Sequence, residues 1–345
     1  MKTFRCRCGN RLFFDNTRCL ECARQVGFSV EDSSLVPLVG AKDQHGRPLR
    51  PCANYDEHGR CNWLVSSTDA TDLCLACRLN VEVPESEESE TLVRNVELAK
   101  RRLVYNLLAL GLPVVPKSQH EAGVGFALRK GGPEAPVITG HENGLITLDL
   151  NEADPAERAR IRAALGEDYR TVLGHFRHEI GHYYWALFFA DDASQAGFRE
   201  VFGDERADYA KALAAHYAHP KTDFQKTHIS SYATSHPWED WAETWAHYLH
   251  ILDSWETATA FGLRTKAGGV PSRSESAFSA FLDHWTELMI AINSMNRSMG
   301  HNDAYPFILA PVVRTKLCYV DKTVHEHVAR LKERFPPVVS RTGSD

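Results

Sequence analysis

Cysteine is spread very unevenly along this chain, and that distribution restricts the fold more than any other feature. Eight of the nine cysteines fall in the first 77 of 345 residues, as Cys6-x-Cys8, Cys19-x-x-Cys22, Cys52 with Cys61, and Cys74-x-x-Cys77. Close pairs on tight turns present thiolates to a tetrahedral ion, whereas a disulfide framework needs an oxidising compartment. The start, Met-Lys-Thr-Phe-Arg-Cys-Arg-Cys, has no apolar run of the secretory kind, which favours metal over disulfides. The natural partition gives one Zn²⁺ to Cys6, Cys8, Cys19 and Cys22 and another to Cys52, Cys61, Cys74 and Cys77, with His58 an alternative to one of the thiolates. Gly9 suits the positive φ of a turn around a metal, and Arg11–Phe14 reads as a short strand. Four protein ligands leave no open position, so both sites are structural, and so small a segment needs its metals to fold. Cys318, the ninth, lies in a helical pattern and reads as a buried apolar filler.

A chain of 345 residues is expected to hold two or three domains. A net charge of −6 and ordinary Gly and Pro counts indicate a soluble globular protein and argue against a bulk nucleic-acid binder. No run of 18 apolar residues exists, so no membrane span is expected, and cytoplasm is the default location. Pro84-Glu-Ser-Glu-Glu-Ser-Glu-Thr91 is acidic and reads as a solvated linker. It divides a double zinc-ribbon module (1–83) from a larger domain (92–345).

The larger domain opens with a helix over Leu92–Leu110, stopped by Gly111 and Pro113. Val124–Leu128, Pro136–Thr139 and Leu145–Asp149 read as strands, the last two joined as a hairpin around residues 141–144. Asp154-Pro155 starts a helix to Leu165, and nearly everything further on is helical. Strands followed by helices indicate an α+β fold.

Inside that helical part, His178-Glu179-x-x-His182 places two imidazoles at i and i+4, stacked on one helix face. Imidazole nitrogens suit Zn²⁺, and two ligands from one turn leave room for a third and a water. Glu179 can take the proton of that water, whose pKa the metal lowers to about 7. Leu173, Phe176, Ile180, Tyr184 and Leu187 form the apolar stripe of the same helix. Gly181 costs that helix about 1 kcal/mol relative to Ala, so its bareness serves something, such as close approach near the metal.

The third ligand must come from elsewhere. Trp185 and Phe188 stand three and six residues after His182, which excludes the metzincin pattern. Asp204, Glu205 and Asp208 read as a capped, solvated helix start. In the helix from Trp238 to His250, Glu239, Glu243, Ala246 and His250 form a row beside a tryptophan-rich side. Glu239 and Glu243 are one turn apart, so one can ligate while the other braces a histidine. Glu239 is taken as the ligand, and His247 is about 12 Å further along and too distant.

These features together resemble the bacterial zinc-binding metallopeptidases that carry an N-terminal zinc ribbon, and more broadly the gluzincins. In that clan the first glutamate of E-x-x-x-[ED] binds zinc and the second supports it, which maps onto Glu239 and Glu243. Tyr232-x6-Glu239 is also similar to anthrax lethal factor, implying a catalytic tyrosine at Tyr232. The expectation is a zinc-dependent peptidase on a zincin-like domain with one catalytic and two structural zinc ions. Glu179 is its general base, and Tyr232, or failing that His236, steadies the developing oxyanion. Its partners would be a peptide or protein substrate and a protein recruited by the ribbon. The rivals are a zinc hydrolase of a non-peptide amide, and a ribbon that binds protein or nucleic acid beside an inert zincin scaffold.

Overall fold

A computed structural model describes residues 1–55, 60–132, 134–165, 171–263 and 275–335. The chain forms two compact units, residues 1–158 with 334–345, and residues 159–333. The architecture is α+β: small sheets lie in the first unit and helices make up the second.

The first unit begins with three short antiparallel hairpins: β1 (Phe4–Arg5) with β2 (Arg11–Leu12), β3 (Val26–Ser29) with β4 (Ser34–Pro37), and β5 (Leu49–Pro51) with β6 (Leu64–Ser66). The single turn α1 (Leu75–Arg78) follows. Isolated hairpins of this length are marginal in water, so side chains must hold them. Phe14, Phe28 and Trp63 do so, with ring centroids 5.1 Å apart for Phe14–Phe28 and 5.0 Å for Phe28–Trp63. Tyr105 closes the cluster, 5.3 Å from Phe14, and it belongs to α2 (Glu90–Ala109). Arg102 of α2 also pairs with Asp15, and Arg101 donates to the Arg60 carbonyl. The ribbon core is therefore completed by the first helix of the larger domain.

The acidic stretch between them is short and partly structured. Glu87–Ser89 form a 3₁₀ turn, Ser89 is buried, and α2 starts at Glu90. Glu87, Glu88 and Glu90 cluster at the helix start, where negative charge offsets the exposed N–H groups. A four-stranded sheet spans this passage. Its order is β7 (Asn80–Glu82), β8 (Gly125–Arg129), β10 (Leu145–Asp149), β9 (Gly140–Glu142), with β8 parallel to β7 and β10 and β9 antiparallel to β10. The strand expected at Pro136–Thr139 lies instead at Gly140–Glu142. Asn143 and Gly144 both have positive φ, 47° and 79°, so a two-residue turn joins β9 directly to β10.

Helix α3 (Pro155–Leu165) is capped by Asp154 and leads into the second unit. That unit holds α4 (Val172–Phe188), α5 (Asp192–Phe202), α6 (Tyr209–Ala218), α7 (Pro237–Ala260), α8 (Glu275–Ser298) and α9 (Pro311–Arg334). Thr171 caps α4 by accepting the Gly174 N–H at 2.9 Å. Phe176, Ile180, Tyr184 and Leu187 are buried along α4, and Trp241, Trp245 and Leu249 along α7. The two helices meet at Gly181. A Cβ there would stand 3.0 Å from Trp245 Cδ1 and 3.2 Å from Ala242 Cα. Trp241 Nε1–H donates to the Gly181 carbonyl at 2.9 Å. The glycine thus serves the approach of α7 to α4, and its effect on the metal helix is through that contact. Lys316 of α9 ties α7 from the other side through Asp240 at 2.6 Å. No helix among the described residues is long and apolar enough to cross a membrane.

Candidate metal centre

Close packing of α4 on α7 turns their polar rows towards one another. His178 Nε2 lies 3.0 Å from Glu239 Oε2, His182 Nε2 lies 3.5 Å from the same oxygen, and the two nitrogens are 3.3 Å apart. Ligands at about 2.0–2.2 Å from a tetrahedral ion stand about 3.3–3.6 Å apart, so this triangle has the size of a zinc site. All three residues are buried, and among the described residues no hydrogen-bond donor reaches Glu239 Oε2. A buried carboxylate oxygen facing two imidazole nitrogens is costly without a cation. The donor set of two nitrogens and one oxygen fits Zn²⁺ and leaves a fourth position open. Burial alone would raise the Glu239 carboxyl, yet His182 and His178 hold it well below its usual range.

A second layer orients these ligands. Glu243 Oε1 takes the His178 Nδ1–H at 2.7 Å, and the Ser230 hydroxyl donates to Glu243 Oε2 at 2.6 Å. Burial opposes ionisation of Glu243, but the His178 hydrogen bond brings it down to about 2. Glu243 is therefore a carboxylate that fixes the His178 ring with Nε2 facing inwards. Glu179 is buried beside His178, its Oε1 3.5 Å from His175 Nε2. The Tyr232 ring centroid lies 5.9 Å from that of His178. Trp238 covers His182 at 4.1 Å between centroids.

One expected residue sits elsewhere, and His247 lies away from the site as its spacing implied. His236 is the N-cap of α7: its Nδ1 accepts the Trp238 N–H at 3.1 Å and its Nε2 is 3.1 Å from the Ala207 carbonyl. Both ring nitrogens are engaged by backbone, so His236 shapes the entry to α7 and holds no free donor for an oxyanion. His247 faces Tyr305, its Nδ1 2.7 Å from the hydroxyl. Asp204 and Glu205 pair with Arg206 and Arg199, and Asp208 caps α6 by accepting the Lys211 N–H at 3.0 Å.

The residue that sequence reasoning passed over is Tyr209. From the first position of α6 its hydroxyl donates to Glu239 Oε1 at 2.9 Å. Its place in the charged run 202–209 was visible, but nothing in that run pairs it with a residue thirty positions away. Ser230 was likewise one polar residue among several in a loop.

The two cysteine tetrads assemble in the expected partition. Cys6, Cys8, Cys19 and Cys22 form one group and Cys52, Cys61, Cys74 and Cys77 the other, each with sulfurs within 4.8 Å of one another. Sulfur separations of 3.6 Å for Cys6–Cys22 and Cys8–Cys19 and 3.7 Å for Cys61–Cys74 exclude disulfides. They match the roughly 3.8 Å edge of a tetrahedral zinc thiolate site. The second set is fully buried, while Cys8 and Cys22 of the first are exposed. His58 lies outside the described residues. Cys318 is half-buried rather than buried and lines a cleft on α9 with Tyr319.

The comparisons with known proteins follow the same division. Residues 3–88 match a zinc-ribbon domain family. An uncharacterised protein of Mycobacterium bovis and its counterparts in two strains of Mycobacterium tuberculosis are 42% identical over 349 residues, covering 99% of each chain. No solved structure matches. Residues 89–323, which carry the His178, His182 and Glu239 cluster, match the family described as "putative zinc-binding metallo-peptidase". Zinc-ligand geometry and that match together make the chain a member of this zinc-binding metallo-peptidase family, preceded by a zinc ribbon.

Proposed function

We propose that the protein is a zinc-dependent peptidase with one catalytic zinc at His178, His182 and Glu239 and two structural zinc ions in the ribbon. The observation that carries the reading is the convergence of three buried donor atoms within 3.0–3.5 Å on a helix that also bears Glu179. A zinc held there polarises a carbonyl oxygen and acidifies a water. Glu179 would accept the proton of a water aimed at the peptide carbonyl and would return it to the departing amine. Tyr232, beside the His178 ring, supplies the hydroxyl donor for the oxyanion. Glu243 and Ser230 hold His178 in the tautomer that keeps Nε2 free for the metal. An inert scaffold would need neither Glu179 nor this second layer.

The ribbon, on this reading, recruits a protein substrate or partner. A cleft of about 220 Å³ between its first two hairpins, with Arg5, Arg7 and Lys42 at its rim and Val26 and Leu35 inside, supports that role. A peptide library offered to the wild-type protein and to Glu179→Gln tests the chemistry. Cleavage by the wild type that is lost in the variant, with zinc content unchanged, is expected. Hydrolysis of non-peptide amides alone would replace the substrate class, and full activity of the variant would remove Glu179 from its role.

A further inference from the structure

We infer that Tyr209 is a positioning residue for the metal ligand Glu239. The inference rests on the catalytic zinc reading and goes beyond it, because it concerns which carboxylate oxygen the site presents. Glu239 Oε2 faces both imidazole nitrogens, at 3.0 and 3.5 Å. Its other oxygen, Oε1, receives the Tyr209 hydroxyl at 2.9 Å. With Oε1 held, the carboxylate can offer the cluster one oxygen only. Without it, Oε1 is free to rotate inwards and the carboxylate could bind through both oxygens, adding a fifth donor beside the water and crowding the position that a substrate needs.

The loop at Ser230 and the start of α6 each hold one carboxylate of α7. Ser230 donates to Glu243, which holds His178, and Tyr209 donates to Glu239 itself. Tyr209 is suited to this task because the residue is 38% exposed at the first turn of α6 while its hydroxyl reaches the buried Glu239. Little packing depends on the hydroxyl, so Tyr209→Phe removes the bond and leaves the ring in place.

Removal of such an outer partner weakens metal affinity by about 10–100-fold. The test is chelator competition for the most weakly held zinc of the full chain, together with the visible spectrum of protein carrying Co²⁺ in that site. Tyr209→Phe is expected to lower affinity by about 10–100-fold and to shift the Co²⁺ bands from the intense pattern of four-coordination towards the weaker pattern of five. Tyr232→Phe is expected to leave affinity near the wild-type value. Unchanged affinity and spectrum in Tyr209→Phe would overturn the inference. A wild-type protein whose zinc content does not fall on His182→Ala would instead overturn the catalytic-site reading. A thermal melt of each variant followed by circular dichroism separates a loosened ligand from a loosened fold.

Discussion

Removing the two glutamates of α7 one at a time separates ligand from brace. Glu239→Ala deletes one of three protein donors and leaves two buried imidazoles facing a void, so the catalytic zinc should be nearly absent. Glu243→Ala deletes the acceptor of the 2.7 Å bond from His178 and of the 2.6 Å bond from Ser230. A hydrogen bond to a charged partner contributes about 1.5–3 kcal/mol, equivalent to about 10–150-fold in an equilibrium constant. Zinc should therefore still bind to Glu243→Ala, with affinity lower by about 10–150-fold. Glu243→Gln keeps an oxygen for the His178 Nδ1–H and should lie between wild type and Ala. Competition with a chromophoric chelator, after metal content is fixed by elemental analysis, reads all three. Retention of zinc by Glu239→Ala together with its loss from Glu243→Ala would refute the assignment and reverse the two roles.

Other outcomes follow from the packing and from buried charge. Gly181→Ala sets a methyl against Trp245 and the Ala242 backbone, and overpacking of about 1–3 kcal/mol outweighs a helix-propensity gain of about 1 kcal/mol. Its urea midpoint should fall, and a midpoint equal to or above wild type would contradict the close approach of α4 and α7. A chain starting at residue 85 lacks β7 and uncovers Tyr105 and the edge of β8. It should aggregate or melt earlier in size-exclusion and circular-dichroism measurements, and a stable monomer would show that α2 does not need the ribbon. Burial, with Arg177 nearby, lowers His247 from 6.5 to about 4, so the unfolded chain binds the extra proton between those values and stability falls as pH drops through that window. The loss is on the order of 3 kcal/mol, and His247→Gln should flatten this part of the curve of urea midpoint against pH; an unchanged slope would contradict a neutral buried His247.

What could be read from the sequence was what is written in spacing along one element. His178 and His182 are one turn apart, as are Glu239 and Glu243, so helix periodicity alone aligned each pair. The cysteine partition came from the short reach of each pair. Contacts between distant elements were not legible in this way. Tyr209 reaches Glu239 only because α6 begins beside the start of α7, and the contact of His236 with the Ala207 carbonyl likewise joins residues far apart in sequence. The β9 strand moved to Gly140 because turn geometry at Asn143 and Gly144, not the apolar run before it, set the register. The acidic run before α2 looked like a separator by composition, whereas β7 and Tyr105 carry contacts across it.

The most direct test is the number of zinc ions per chain, counted by native mass spectrometry on the full protein and on His182→Ala. The two cysteine tetrads and the His178, His182 and Glu239 cluster predict three in the wild type and two in the variant. Two in both, or three in both, would contradict a zinc site between α4 and α7.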